Sequence, residues 1–181
     1  MTDDTEAWAA RLRENRREKD RFFAEHRQSP IPPGEREEFD GLDYVDPDPA
    51  YRVEASVTVH DDPEPVEMTV SDGPPTRYER VVTFVFELDG ETHDLHGYRK
   101  ADEDSGIFVP FRDETTGQET DGGGRYLDLE PEGDLSTVET VTLDFNLAYT
   151  PFCAFNDAFA CPLPPEENWL ETTIEAGERG Y

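Results

Sequence analysis

The sequence predicts a mainly β protein: an antiparallel meander forming a barrel or two-layer roll, with an N-terminal α-helix and an aromatic, proline-rich C-terminal covering loop. Three observations carry this expectation. Apolar and polar residues alternate through segments 52–59, 66–70, 78–88, 92–99, 107–113, 125–129 and 138–146, as they do in half-buried strands. Turn-forming sequences separate them; Asp89-Gly90 is the clearest, since both residue types tolerate the positive φ of a two-residue hairpin. Strands that follow one another with short connections pair with their neighbours, which favours a barrel or roll over a parallel sheet.

The other elements follow in chain order. Residues 5–27 read as a helix that Asp4 or Thr5 can cap, with Trp8, Leu12 and Phe22 on one heptad-like stripe. Asn15 and Lys19 interrupt the stripe, so its packing surface is split into two ends. The helix holds seven of the 16 basic residues and is net positive on a negative chain. The expected organisation is a single domain overall: helix 1–28, linker 29–50 docked on the body, and β domain 51–181. The linker is rich in Pro, Gly and acidic residues, with Phe39, Leu42 and Tyr44 as docking points. Residues 147–165 mix aromatics, both cysteines and four prolines. Pro162, Pro164 and Pro165 favour an extended path, and a last strand is expected near 169–174.

Charge narrows the function classes. The 181 residues carry 44 acidic against 16 basic side chains, a net charge of −28, and only Lys19 and Lys100 are lysines. Such a chain repels itself in dilute buffer, whereas at about 1 M salt the Debye length falls to about 3 Å. The composition therefore fits an acidic, solvated surface suited to multimolar salt. An aromatic content of 11%, with clean alternation, opposes the disorder that high charge otherwise signals. Nucleic acid and anionic membranes require a basic footprint, so neither is an expected partner. The acidic start MTDDTEAW has no signal-peptide character, no apolar run reaches bilayer length, and two cysteines make no secreted disulfide scaffold. A cytoplasmic location is expected.

The stretch 108–129 holds the most specific site chemistry. A register pairing Arg112 with Arg125 would oppose two like charges, which needs an anion between them. That anion is either a protein carboxylate, with Asp113 or Asp144 in a buried network, or a ligand carboxylate or phosphate. The ligand-binding candidates are Arg112, Arg125, Tyr126, Asp144 and Asn146, the last two from one face of an adjoining strand. For catalysis, Asp113 and Asp144 are the candidate bases, with Asp128 and Tyr126 as further acid–base groups. No nucleophile stands out, and no cofactor or metal is expected. His93 and His96 lie three apart on a predicted strand and so point to opposite faces. Gly122-Gly123-Gly124 lacks the Lys-Ser/Thr ending of a phosphate loop, and the acidic run 113–121 matches no calcium-loop spacing. Cys153 and Cys161 read first as unreactive thiols, then as a redox pair, then as metal ligands.

FVPFRD at 108–113, then TTGQET, GGGRYLDL, LDFNLAY, CPLPPEEN and a terminal AGE together resemble a widespread prokaryotic family of domains of unknown function. The likeness extends to the N-terminal helix and covers nearly the whole chain. It implies no activity, cofactor or catalytic residue. Asp121 stands where the family usually has tyrosine, and Thr150 where it has asparagine. Three functional readings remain. The first is a β-cup binding a small anionic ligand. The second is a hydrolase- or isomerase-type enzyme using the same cluster. The third is a protein-interaction module whose partner meets residues 5–27.

Overall fold

Six antiparallel strands form one sheet that curls into a half-barrel. The structure is a computed structural model that describes residues 2–100, 106–130 and 135–180. The strands are β2 (Arg52–Met68), β3 (Thr76–Leu88), β4 (Glu91–Arg99), β5 (Ile107–Phe111), β6 (Arg125–Leu129) and β7 (Thr140–Asp144), side by side in the order β6-β5-β4-β3-β2-β7. A short pair, β1 (Asp43–Tyr44) and β8 (Glu178–Gly180), joins the linker to the C-terminal end. The segments 52–59 and 66–70, expected as two strands, merge largely into β2, whose register against β3 shifts between Val59 and Glu64. The predicted Asp89-Gly90 hairpin is present, with φ of 54° and 78°, as a type I′ turn requires.

The concave face holds the main core, built from Ala55, Phe84, Phe86, Leu95, Val109, Phe111, Leu127 and Leu143. Phe145, Leu170, Ile174 and Ala176 from the C-terminal third fill it from the open side. A β-bulge decides what reaches the other face. The β3–β4 register shifts between Arg80 and Val82, and the extra residue, Val81, re-aims the strand. Tyr78 thus joins Met68 and Tyr98 in a second apolar cluster, with Val66 and Phe108 against it. Gly97 faces the core where a side chain has no room: a Cβ there would lie 2.4 Å from Ile107 Cγ2.

Helix α1 (Thr2–Glu25) begins before the expected caps. Trp8 and Leu12 are buried as predicted, but Phe23 (2% exposed) is the residue that packs, and Phe22 (36%) lies outside. Eleven residues separate Leu12 from Phe23, about three α-helical turns, so the stripe keeps to one face only at position 23. Phe23 meets Ile31, Phe39, Leu42 and Phe155, which makes Phe39 and Leu42 docking points of residues 29–50. Arg16 donates to the Val45 carbonyl at 2.7 Å, and Asp20 accepts from the Leu42 amide at 3.0 Å.

After β7 the chain crosses the barrel mouth and bridges the far edge, where Tyr149 pairs with Tyr126. It then covers the convex face as a strap: the Leu163 amide donates to the Thr69 carbonyl at 2.7 Å, and Ser71 to Cys161 at 2.9 Å. The expected strand at 169–174 is absent. Only an isolated parallel bridge, Arg112 with Trp169, lies there, and the last strand is β8.

Candidate functional site

Arg125 is paired across the sheet with Phe111, not with Arg112. The physical reason is Gly124, whose φ is +83° and where a Cβ would stand 2.7 Å from the Phe111 carbonyl oxygen. This tight approach ends the β5–β6 ladder one residue before Arg112. Side chains alternate, so the shift sends the two arginines to opposite faces. The face shared by Phe108, Pro110, Leu127 and Leu129 in the expected register is split likewise: Phe108 and Pro110 stand opposite Asp128 and Tyr126, and Val109 opposite Leu127.

Arg125 is enclosed in the concave face. Its Nη2 stands 3.5 Å from Asp113 Oδ1, with side-chain exposures of 1% and 0%. It also donates to the carbonyls of Ile174 (2.8 Å), Ala176 and Glu178 (3.2 Å). Burial presses its pKa down and Asp113 pushes it back. Asp113 is equally engaged, accepting from Thr115 at 2.9 Å, Thr116 at 3.2 Å and the Ile174 amide at 2.6 Å. This is the buried carboxylate network weighed from sequence. It ties the C-terminal segment into the core, and both Asp113 oxygens accept hydrogen bonds there.

Asp144 and Asn146 lie elsewhere, because β7 pairs with β2 and not with the β5–β6 hairpin. Asp144 caps a short 3₁₀ turn, accepting from the Asn146 amide at 3.0 Å, and pairs with Arg52 at 3.5 Å. Asn146 grips the linker through Asp48, accepting from its amide at 2.9 Å and donating to its carbonyl at 2.9 Å. Tyr126 is on the convex face, where its hydroxyl donates to the Pro162 carbonyl and holds the strap. These four of the five candidate ligands therefore occupy three places, not one.

Arg112 remains, and it stands differently. Its backbone is bracketed by the strap, donating to the Asn168 carbonyl at 3.1 Å and accepting from the Leu170 amide at 2.7 Å. Its guanidinium lies 4.7 Å over the indole of Trp169, which is 47% exposed. Among the described residues no ion pair holds it. The two side chains wall an open cleft of about 350 Å³, with the Gly122-Gly123 turn, Leu163 and Pro164 around it and Glu67 and Glu166 at its rim. An exposed cation–π contact contributes about 0.5–1 kcal/mol, less than the roughly 1.5–3 kcal/mol of a hydrogen bond to a charged group. Stacking therefore orients the guanidinium without satisfying it.

Two residues that build this wall were not singled out from sequence. Asn168 is fully buried and clamps two strands, donating to the carbonyls of His96 (2.9 Å) and Pro110 (2.7 Å) and accepting from the His96 amide at 2.9 Å. Trp169 follows it, fixed by an indole bond to the Pro164 carbonyl at 3.0 Å. The one available signal was the Pro-Pro-Glu-Glu-Asn-Trp order itself, a rigid run ending in an amide and an aromatic. Glu178, in the terminal AGE, was also missed. It is a buried carboxylate that pairs with Lys19 and accepts from the Thr150 amide at 3.1 Å.

The other motifs resolve simply. His93 lies by Phe86 of the core, while His96 hydrogen-bonds Thr83 on the other face at 2.9 Å, so the pair cannot share a ligand. Among the described residues no group of three or more His, Cys, Asp or Glu side chains could hold a metal ion. Nor is any helix among them long and apolar enough to cross a membrane.

A structure of an uncharacterized protein from Haloarcula marismortui, solved by solution NMR, is similar to this chain over 99% of its length and 97% of the other. The two are 63% identical with a TM-score of 0.76, and the salt-loving source of that relative fits the acidic composition. No curated protein matches the chain. The family described as "Protein of unknown function (DUF1684)" matches residues 37–179, most of the chain and all of the half-barrel with its strap. The chain belongs to the DUF1684 family.

Proposed function

We propose that the protein is a binding module for a small anionic molecule, held in the cleft between Arg112 and Trp169. One observation carries the reading. In a chain with 44 acidic side chains, Arg112 is displayed on a half-exposed indole and paired with no carboxylate among the described residues. A guanidinium so placed offers a bidentate face to a carboxylate or phosphate. The volume, about 350 Å³, suits a small molecule. Glu67 and Glu166 at the rim add negative charge, so a ligand bearing an amine or hydroxyls beside its acid group fits better than a bare dianion. Arg125, Asp144 and Asn146 support the framework in this reading, and Tyr126 supports the strap.

A thermal-shift comparison tests it. Ligand at a hundred times its Kd adds about 2.7 kcal/mol to folding, a rise of about 5–10 °C for a chain of this length. Amino acids, hydroxy acids and phosphate esters should include a class that raises the melting temperature of wild type and not that of Arg112→Ala. Equal shifts in both proteins would remove Arg112 from any site.

A further inference from the structure

We infer that Cys153 and Cys161 form a reversible disulfide that locks the strap bordering the Arg112 cleft. The inference stands on the thiol geometry and does not depend on what the cleft binds. Cys153 lies in the 3₁₀ turn Phe152–Ala154, and Cys161 begins the strap, eight residues later. The Cys153 amide donates to Cys161 Sγ at 3.3 Å. Both are free. Ser71 lies beside the pair, its hydroxyl accepting from the Cys161 amide at 3.0 Å. The Cys161 sulfur thus already lies against the Cys153 backbone, within the short reach that a disulfide requires of its two residues.

The chemistry needs a two-electron oxidant, for which a peroxide suffices. Cys153 is the half-buried member and Cys161 the buried one, so Cys153 reacts first. Its thiolate attacks a peroxide oxygen and the O–O bond breaks. The products are a sulfenic acid and a hydroxide that takes up a proton. The sulfur of Cys161 then attacks the sulfenic sulfur, the S–S bond forms, and a second water leaves with the Cys161 proton. Two thiols and one hydrogen peroxide give one disulfide and two waters. Burial, followed by the adjacent Cys161 thiol, pushes the Cys153 thiol up to about 11. The thiolate is therefore scarce at neutral pH, and the first step should accelerate about tenfold per pH unit below that value.

The consequence falls on the strap. Residues after Cys161 hold the Tyr126 hydroxyl at Pro162 and the Trp169 indole at Pro164, and Leu163 and Pro164 wall the cleft. Bonding Cys161 to the Phe152–Ala154 turn fixes the start of that wall and shortens the free loop of the unfolded chain.

The test treats full-length protein in high salt with hydrogen peroxide and reads free thiols after denaturation, intact mass and melting temperature. Both thiols should disappear together with loss of two hydrogens by mass in a monomer. The melting temperature should rise by about 5 °C, and dithiothreitol should reverse both changes. In Cys161→Ser, Cys153 should stop at a sulfenic acid that dimedone captures. Retention of both thiols, separate over-oxidation of each, or disulfide-linked dimers would overturn the inference. None of these outcomes depends on ligand binding, so failure here leaves the Arg112 cleft untouched, and the reverse also holds.

Discussion

Arg125 and Asp113 form an ion pair sealed from solvent, 3.5 Å apart with side-chain exposures of 1% and 0%. The pair closes the barrel: Arg125 takes the carbonyls of Ile174, Ala176 and Glu178, and Asp113 takes the Ile174 amide. Removing one partner strands the other charge in a dry interior, a cost of about 3–5 kcal/mol. Arg125→Ala and Asp113→Ala should each lose that much by denaturant unfolding. The double substitution should cost less than the sum of the two. Additive losses would show the pair is uncoupled.

Adjacent phenylalanines on α1 give a second test. Phe23 is 2% exposed and edge-on to Phe152 and Phe155, whereas Phe22 is 36% exposed and stacks on His26. Phe23→Ala should cost about 3–5 kcal/mol and Phe22→Ala about 0.5 kcal/mol or less. Deleting residues 1–27 should expose the same apolar surface and cause association, visible by light scattering. A truncated chain that stays monomeric and equally stable would show that the helix is not part of the packed body.

Salt should matter through the surface and not through the core. With a net charge of −28, cooperative folding is expected above about 1 M KCl and partial unfolding in dilute buffer. Circular dichroism across a salt series reads this. Undiminished thermal stability at low ionic strength would contradict it.

Stability should also fall at both ends of the pH scale. Burial, ahead of its nearby charges, holds His96 below its ordinary value of 6.5. The unfolded chain therefore takes up the proton first, and stability present above about pH 6.5 is lost as pH falls through the lower folded value. Tyr44, Tyr98, Tyr126 and Tyr149 behave in the opposite sense. Burial raises each above its ordinary 10.0, so the unfolded chain ionises first and stability is lost as pH rises past about 10. Melting temperatures of wild type and His96→Gln between about pH 5 and 8 should converge at the upper end and separate at the lower. Parallel curves would exclude His96 as the source.

Much of this fold was legible because it depends on local signals. The Asp89-Gly90 turn fixes a hairpin through the φ its two residues allow, and period-two alternation marks each sheet strand. What failed depends on a single residue. Gly124 stops the β5–β6 ladder one position short of Arg112, and that offset moved Arg125 from a supposed anion site into the core. The bulge at Val81 similarly leaves no mark in the alternation, yet it places Tyr78 on the convex face. Tertiary pairing hid the rest. Trp169 reads as a strand residue, but Asn168 clamps the chain beside it to β4 and β5, and the indole stays outside under Arg112. Of the expected site, Arg112 keeps a candidate binding role, and the other four residues are engaged in framework contacts.

The central claim, a site at Arg112 and Trp169, meets its most direct test in an NMR titration of isotope-labelled protein in high salt with the ligand class that the thermal screen selects. The chain has two tryptophans, and Trp8 is buried under Arg52, whose guanidinium lies 4.8 Å from its ring. The indole N–H of Trp169 and the amides of Gly122 and Gly123 should shift together and saturably, while Trp8 stays unmoved, and Arg112→Ala should abolish the response. Saturable shifts confined to Thr115, Thr120 and Arg179, which line a separate cleft, with Trp169 unchanged, would contradict the claim.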